Sequence, residues 1–103
     1  MKTYIKKDVV EKVFTQLGDE VGDIKVISKV VNETFGALRE IMSGANNECR
    51  IEIRNFGVFE VKKTKAKPKA RNPKTNEIIY VPPRRKTHFK PGKLLQDSLK
   101  KPL

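Results

Sequence analysis

The chain has few of the residues on which small-molecule chemistry depends. In 103 residues there is one cysteine, Cys49, one histidine, His88, and no tryptophan. A single cysteine excludes an intramolecular disulfide and any cysteine-rich metal site. His88 has no cysteine, histidine or carboxylate at ligand spacing, so it reads as a strand residue, and neither a metal nor another cofactor is expected. No glycine-rich phosphate loop and no carboxylate cluster among the basic residues is present, so an enzyme is not expected. Long apolar runs are also missing. None approaches the roughly 18–20 residues that would span a bilayer. Near the start, Lys6, Lys7, Asp8, Glu11 and Lys12 break up any apolar stretch, which does not read as a signal peptide. The expected location is therefore the reducing interior of a cell. Hydrophobic residues make up a modest 37% of the chain. One small core built from them would be marginal, and a homodimer sharing a core would relieve the shortage.

Acidic residues are scarce in one place only. The whole chain carries +11. Lys62 to Lys93 holds twelve of the 23 Lys and Arg residues and a single acid, Glu77, so this stretch contains the entire excess. Everything outside it is neutral. So concentrated a field points to a polyanionic partner.

Hydrophobic period divides the rest. Ile5, Val9, Val10, Val13, Phe14 and Leu17 recur at helical spacing and predict a helix over 3–17, with Thr3 as N-cap and Gly18 as stop. A loop follows from Gly18 to Gly22. Asp23 caps a longer helix ending at Ser43-Gly44, with Ile24, Ile27, Val30, Val31, Phe35, Leu38, Ile41 and Met42 along its stripe. Gly36 within it marks either a close helix crossing or a tolerated surface glycine. From Cys49 the period becomes two: Cys49, Ile51 and Ile53 alternate with Arg50, Glu52 and Arg54. Asn55-Phe56-Gly57 is a turn, and Val58 to Val61 returns as a second strand. Lys62 to Lys69 has strand-like alternation but no apolar face, so it should leave the body. Arg71 to Asn76 is turn chemistry, and Glu77 to Val81 should pair back. Pro82 and Pro83 cannot donate to a ladder and belong at an edge or bulge. Thr87 to Phe89 re-enters the body. Lys93 to Lys100 closes as a short helix with Leu94, Leu95 and Leu99 inward. The order helix, helix, hairpin, protruding basic ribbon, strand, helix makes an α+β fold.

Three blocks in this order resemble the HU/IHF family of bacterial histone-like DNA-binding proteins. They are Asn55 to Val61, similar to the family's Phe turn and second strand; Ala70-Arg71-Asn72-Pro73-Lys74-Thr75, similar to its arm tip; and Phe89-Lys90-Pro91-Gly92-Lys93, similar to its last strand and helix start. Two family glycines are replaced, by Asn55 and Asn76. Asparagine tolerates positive φ best after glycine, so both turns should survive. The resemblance covers essentially the whole chain. It implies one domain over 1–103, with a helical dimerisation base at 1–44, a β-saddle and arm at 48–91 (the arm at about 62–82), and a C-terminal helix and tail at 92–103. The dimer should be intertwined, with Phe35, Leu38, Phe56, Phe59 and Phe89 in its core and two β-ribbon arms around a duplex. That mechanism comes with the family.

The resemblance and the residues together define the candidate site. Lys62, Lys63, Lys65, Lys67, Lys69 and Lys74 are expected to neutralise phosphates. Arg71 suits the narrow minor groove, and Asn72 a base edge or sugar. The family's matching proline is a wedge between base pairs, so Pro73 is assigned that intercalating role; read from the residues alone, it fixes a turn. Arg54, Arg84, Arg85, Lys86, Lys90 and Lys93 are expected phosphate contacts on the saddle. Tyr80 is expected in a cross-strand contact and Cys49 as a small buried hydrophobe. Double-stranded DNA and a second copy of the chain are the expected partners, with a paralogue in place of the copy as the variant; no membrane or small-molecule substrate is expected. The implied location is cytoplasmic and nucleoid-associated. The implied function is binding and bending of DNA; the arm tip is shared by nonspecific HU-like and site-selective IHF-like members, and the nonspecific reading is favoured over the site-selective one. An RNA-binding component with a basic extension is the competing class, separated by whether the arm has a wedge-bearing tip.

Overall fold

A computed structural model describes residues 1–20, 22–44 and 48–103. The chain divides into two compact units, Met1–Gly44 and Ala45–Leu103.

The first unit is a helical pair, α1 (Lys6–Leu17) and α2 (Ile24–Gly44), linked through a 3-10 turn at Gly18–Glu20. The expected Thr3 cap is not used. Ile5 is the last extended residue before α1, and its N–H donates to Asp8 Oδ2 at 2.7 Å. A carboxylate inside the first turn thus takes over the role expected of an upstream hydroxyl, and it also suits the helix dipole. Gly18 ends α1 at φ 56° and ψ −126°, with its N–H on the Phe14 carbonyl; a side chain would resist that conformation. Val21, part of the expected loop, lies outside the described residues. Asp23 caps α2 as expected, its Oδ1 accepting from the Lys25 N–H at 2.9 Å.

Helix length decides what this unit can bury. α1 has 12 residues and α2 has 21, or about 18 Å against about 31 Å at 1.5 Å per residue. Val10 of α1 meets Ile27 and Val31 of α2, with Val13 and Phe14 packed beside them. Farther along α2 the cover stops: Phe35 is 44% exposed and Ile41 55%, while Leu38 is half-buried. A Cβ on Gly36 would meet nothing within 4 Å, so the described chain makes no close crossing there.

The second unit contains two antiparallel sheets. β1 (Cys49–Ile53), β2 (Gly57–Lys63) and β5 (Arg85–Pro91) form one in the order β1-β2-β5; β3 (Lys67–Arg71) and β4 (Ile78–Val81) form the other. α3 (Lys93–Leu99) closes the chain. The β1–β2 turn takes its positive φ at Asn55, 66°, a conformation asparagine tolerates. Gly57 is needed for a different reason. A Cβ there would lie 2.5 Å from the Lys90 carbonyl oxygen and 2.7 Å from the Phe89 ring. The Gly92 N–H then donates to the Phe56 carbonyl at 2.8 Å, tying the turn to the end of β5.

Register sorts this sheet into two faces. Ile51 and Phe89 both stand opposite Phe59. Strand alternation therefore gathers Cys49, Ile51, Ile53, Phe59, Val61 and Phe89 on one side. Val61 is buried at 5%. The rings of Phe59 and Phe89 lie 4.8 Å apart, with Phe56 5.2 Å from Phe89, spacings at which an aromatic pair adds about 0.5–1.5 kcal/mol beyond burial. Phe56 itself remains 44% exposed. Of the three leucines expected inward on α3, only Leu95 is half-buried; Leu94 is 59% and Leu99 70% exposed. A two-turn helix offers one short stripe, and about 100° separates Leu94 from Leu95.

Candidate nucleic-acid interface

The basic stretch leaves the three-stranded sheet as a hairpin in two stages. Pairing of β2 with β5 ends at Lys63–Arg85, and pairing of β3 with β4 begins at Lys67–Val81. The expected continuous strand over 62–69 is thus interrupted, because Pro82 and Pro83 have no N–H to offer across from it. One clasp bridges the gap. The Thr64 N–H donates to the Arg84 carbonyl at 2.6 Å, and the Arg84 N–H donates to Thr64 Oγ1 at 3.0 Å. Beyond it the register slips between Lys67 and Ala70. Three steps on β3 oppose two on β4, and Pro68, also without an N–H, falls in the bulge.

The tip is a tightly bonded turn from Asn72 to Glu77. The Asn72 N–H donates to the Glu77 carbonyl at 2.8 Å, and the Asn76 N–H to the Asn72 carbonyl at 2.7 Å. Asn72 Oδ1 accepts from the Lys74 N–H at 3.0 Å, and Thr75 Oγ1 from the Glu77 N–H at 3.4 Å. Asn76 supplies the positive φ, 61°. Pro73 sits exposed at the apex, flanked by exposed Arg71 and Lys74. Lys65, Lys67 and Lys69 are also exposed along the ribbon. Arg71 stands opposite Ile78, sharing a face with Tyr80. Tyr80 is 60% exposed, and the cross-strand contact expected of it is not among the described ring contacts.

On the three-stranded sheet the candidates separate by face. Arg50 and His88 stand opposite Glu60, Lys86 opposite Lys62, and Lys90 opposite Val58, so Arg50, Lys62, Lys86, His88 and Lys90 share the polar side. Lys63 and Arg85 pair with each other one residue on, which turns their side chains to the other side. Arg54 is exposed beside the β1–β2 turn, Arg84 at the arm root, and Lys93 at the start of α3. α3, with seven residues, is too short to offer an anion site of its own. Cys49 is half-buried, consistent with a small hydrophobe on the apolar side.

Two residues escaped the sequence reading. Thr64 is the clasp at the arm root; its only signal was a hydroxyl among lysines. Glu60 lies at the centre of the polar face and is buried at 6%. Lys90 Nζ approaches it at 2.7 Å and Lys62 Nζ at 3.7 Å. The Lys90 hydrogen bond holds its carboxyl below the ordinary 4.5, with the Lys62 and Arg50 charges adding to the effect and burial opposing it. The lysine partners of Glu60 depend on cross-strand register, which a sequence does not state.

The geometry has counterparts in known proteins. Residues 4–100 match the family described as Bacterial DNA-binding protein. Integration host factor subunit beta of Methylococcus capsulatus is 42% identical over 73 residues, 71% of this chain and 73% of the relative. DNA-binding protein HU of Thermotoga maritima is 34% identical over 95 residues, 92% of this chain and 98% of the relative. HU of Thermus thermophilus is 34% identical over 100 residues, 97% and 96% of the two chains. Among solved structures, the Anabaena HU–DNA cocrystal matches with a TM-score of 0.75 and 27% identity, covering 96% of this chain and all of that one. The fold, the basic hairpin and these matches agree: the chain belongs to the HU/IHF family of nonenzymatic, histone-like bacterial DNA-binding proteins.

Proposed function

We propose that this chain is a homodimeric architectural protein of the nucleoid that grips double-stranded DNA with paired arms and bends it. The observation that carries the reading is the hairpin ending in an exposed Pro73 between Arg71 and Lys74, with Lys65, Lys67 and Lys69 exposed behind it. The paired part of the ribbon is about 16 Å long at 3.3 Å per residue, suited to lie along a minor groove about 6 Å wide. The cations neutralise phosphates and release counterions. Arg71 enters the groove, where the potential is most negative. Pro73, rigid, apolar and without an N–H, unstacks one base step at a cost of a few kcal/mol.

Base reading has little to work with on this arm. The acceptors of Asn72 and Thr75 are engaged in the tip turn, and most of the remaining exposed groups are cations, proline or apolar. That supports nonspecific, HU-like binding over site-selective, IHF-like binding. Exposed Val26, Val30, Phe35 and Ile41 on α2, with Leu38 and the Phe56–Phe59–Phe89 cluster, support a core completed by a second copy over the single domain of 1–103.

A gel-shift titration over linear, nicked, bent and random duplexes at two salt concentrations tests the proposal. All should bind, with a steep loss of affinity in salt. A flat salt response, or binding confined to one sequence, contradicts it. Sedimentation should show a dimer at micromolar concentration, whereas a folded monomer there contradicts the shared core.

A further inference from the structure

On the polar face of the three-stranded sheet, Arg50, Lys62, Lys86, His88 and Lys90 surround one buried carboxylate, Glu60, with the exposed Arg50–Glu52 pair at 3.3 Å on the edge strand. A surface meant only to maximise attraction for phosphate would leave out that acid. Glu60 is 7% exposed at its side chain, whereas its partners Lys62 and Lys90 are 60% and 58% exposed. The carboxylate is buried, and the exposed ammonium groups lie against it, Lys90 closely and Lys62 farther off. Glu60 Oε1, 2.7 Å from Lys90 Nζ, takes the place beside that ammonium group that a phosphate oxygen would take, and Glu60 Oε2 lies 3.7 Å from Lys62 Nζ.

We infer that Glu60 is an internal phosphate surrogate, withholding one unit of positive charge from DNA and setting the affinity of the saddle below what its lysines alone would give. The inference rests on reading this face as a DNA surface. Two lysines facing one carboxylate present one net charge to the duplex. Neutralising the carboxylate returns the second, and each phosphate neutralised adds about 0.9 to the slope of log K against log salt.

The test is salt-dependent binding of a random duplex by the full-length dimer. Glu60→Gln should steepen the slope by about 0.9 and tighten binding at low salt by roughly tenfold. Glu60→Gln combined with Lys90→Gln should return the slope to that of the unaltered protein. An unchanged slope in Glu60→Gln, with the double variant shallower by about 0.9, overturns the inference and leaves Glu60 a structural residue. If Glu60→Gln fails to fold, as judged by circular dichroism, the double variant carries the test, because it removes both halves of the Lys90–Glu60 pair together. It must keep the original slope, and a shallower one overturns the inference. Lys67→Gln with Lys69→Gln is the control for the underlying reading. If that pair leaves both affinity and slope unaltered, the DNA-binding reading of the hairpin has failed, whatever Glu60 does.

Discussion

The two antiparallel sheets of the second unit are held together by opposite means. The three-stranded sheet has an apolar face with a Phe trio, a turn locked at Gly57 and Gly92, and lysines partly neutralised by Glu60. The ribbon of β3 and β4 has no buried residue, three prolines at or beside its strands, and one acid, Glu77, at its end. Packing holds the first sheet. Backbone hydrogen bonds, the Thr64–Arg84 clasp and the tip turn hold the second. Stability and charge are thus allocated separately: the sheet that can bury a core tempers its cations, and the ribbon that cannot leaves its cations to the solvent and the ligand.

Discharging the ribbon should separate the two sheets most plainly. Replacing Lys65, Lys67, Lys69, Arg71 and Lys74 with glutamine should shallow the salt slope by about 0.9 for each phosphate no longer neutralised, while thermal unfolding hardly moves. A large drop in melting temperature together with an unaltered slope would reverse the two roles. The mirror experiment is Gly57→Ala. Its methyl would collide with the Lys90 carbonyl and the Phe89 ring, and overpacking of this kind costs about 1–3 kcal/mol. Denaturant titration should show that loss, and unchanged stability would mean that β5 yields freely.

Much of this division was legible in the sequence. Alternation from Cys49 to Ile53 located a half-buried strand, and Asn55 and Asn76 were recognisable as residues able to hold the positive φ they adopt. Asp23 announced the start of α2. The misses share a physical cause. Asp8 in place of Thr3, Thr64 at the clasp and Glu60 beneath two lysines all depend on which groups meet across a turn or a strand, and composition and period carry no register. The break at 64–66 was implicit in Pro82 and Pro83, but only pairing shows which residues face a proline. Leu94 and Leu99 of α3 are exposed in the single chain, and apolar identity alone does not state what covers them.

Smaller effects sharpen the contrast within each sheet. Arg71→Ala should weaken binding and lessen any preference for A·T-rich duplexes, the narrow groove being where an arginine gains most. Competition between A·T-rich and G·C-rich duplexes measures it, and an unchanged ratio places Arg71 outside the groove. On the packed sheet, Glu60 titrates below its ordinary value in the folded chain. Its contribution to stability is therefore complete above the ordinary value of 4.5 and is lost as pH falls through the lower, folded one. Melting temperature should decline over that acid range, and Glu60→Gln should flatten the decline. An identical pH profile in the variant would mean that the Lys90 pair adds nothing to stability.

The proposed bend depends on Pro73 as the wedge between base pairs. Energy transfer between dyes on the two ends of a short duplex measures this directly. Binding of the unaltered protein should bring the ends together, and Pro73→Ala should restore much of the separation while affinity changes far less. An end-to-end distance that is the same for the free duplex and the complex, or the same for the protein and the Pro73→Ala variant, would contradict it.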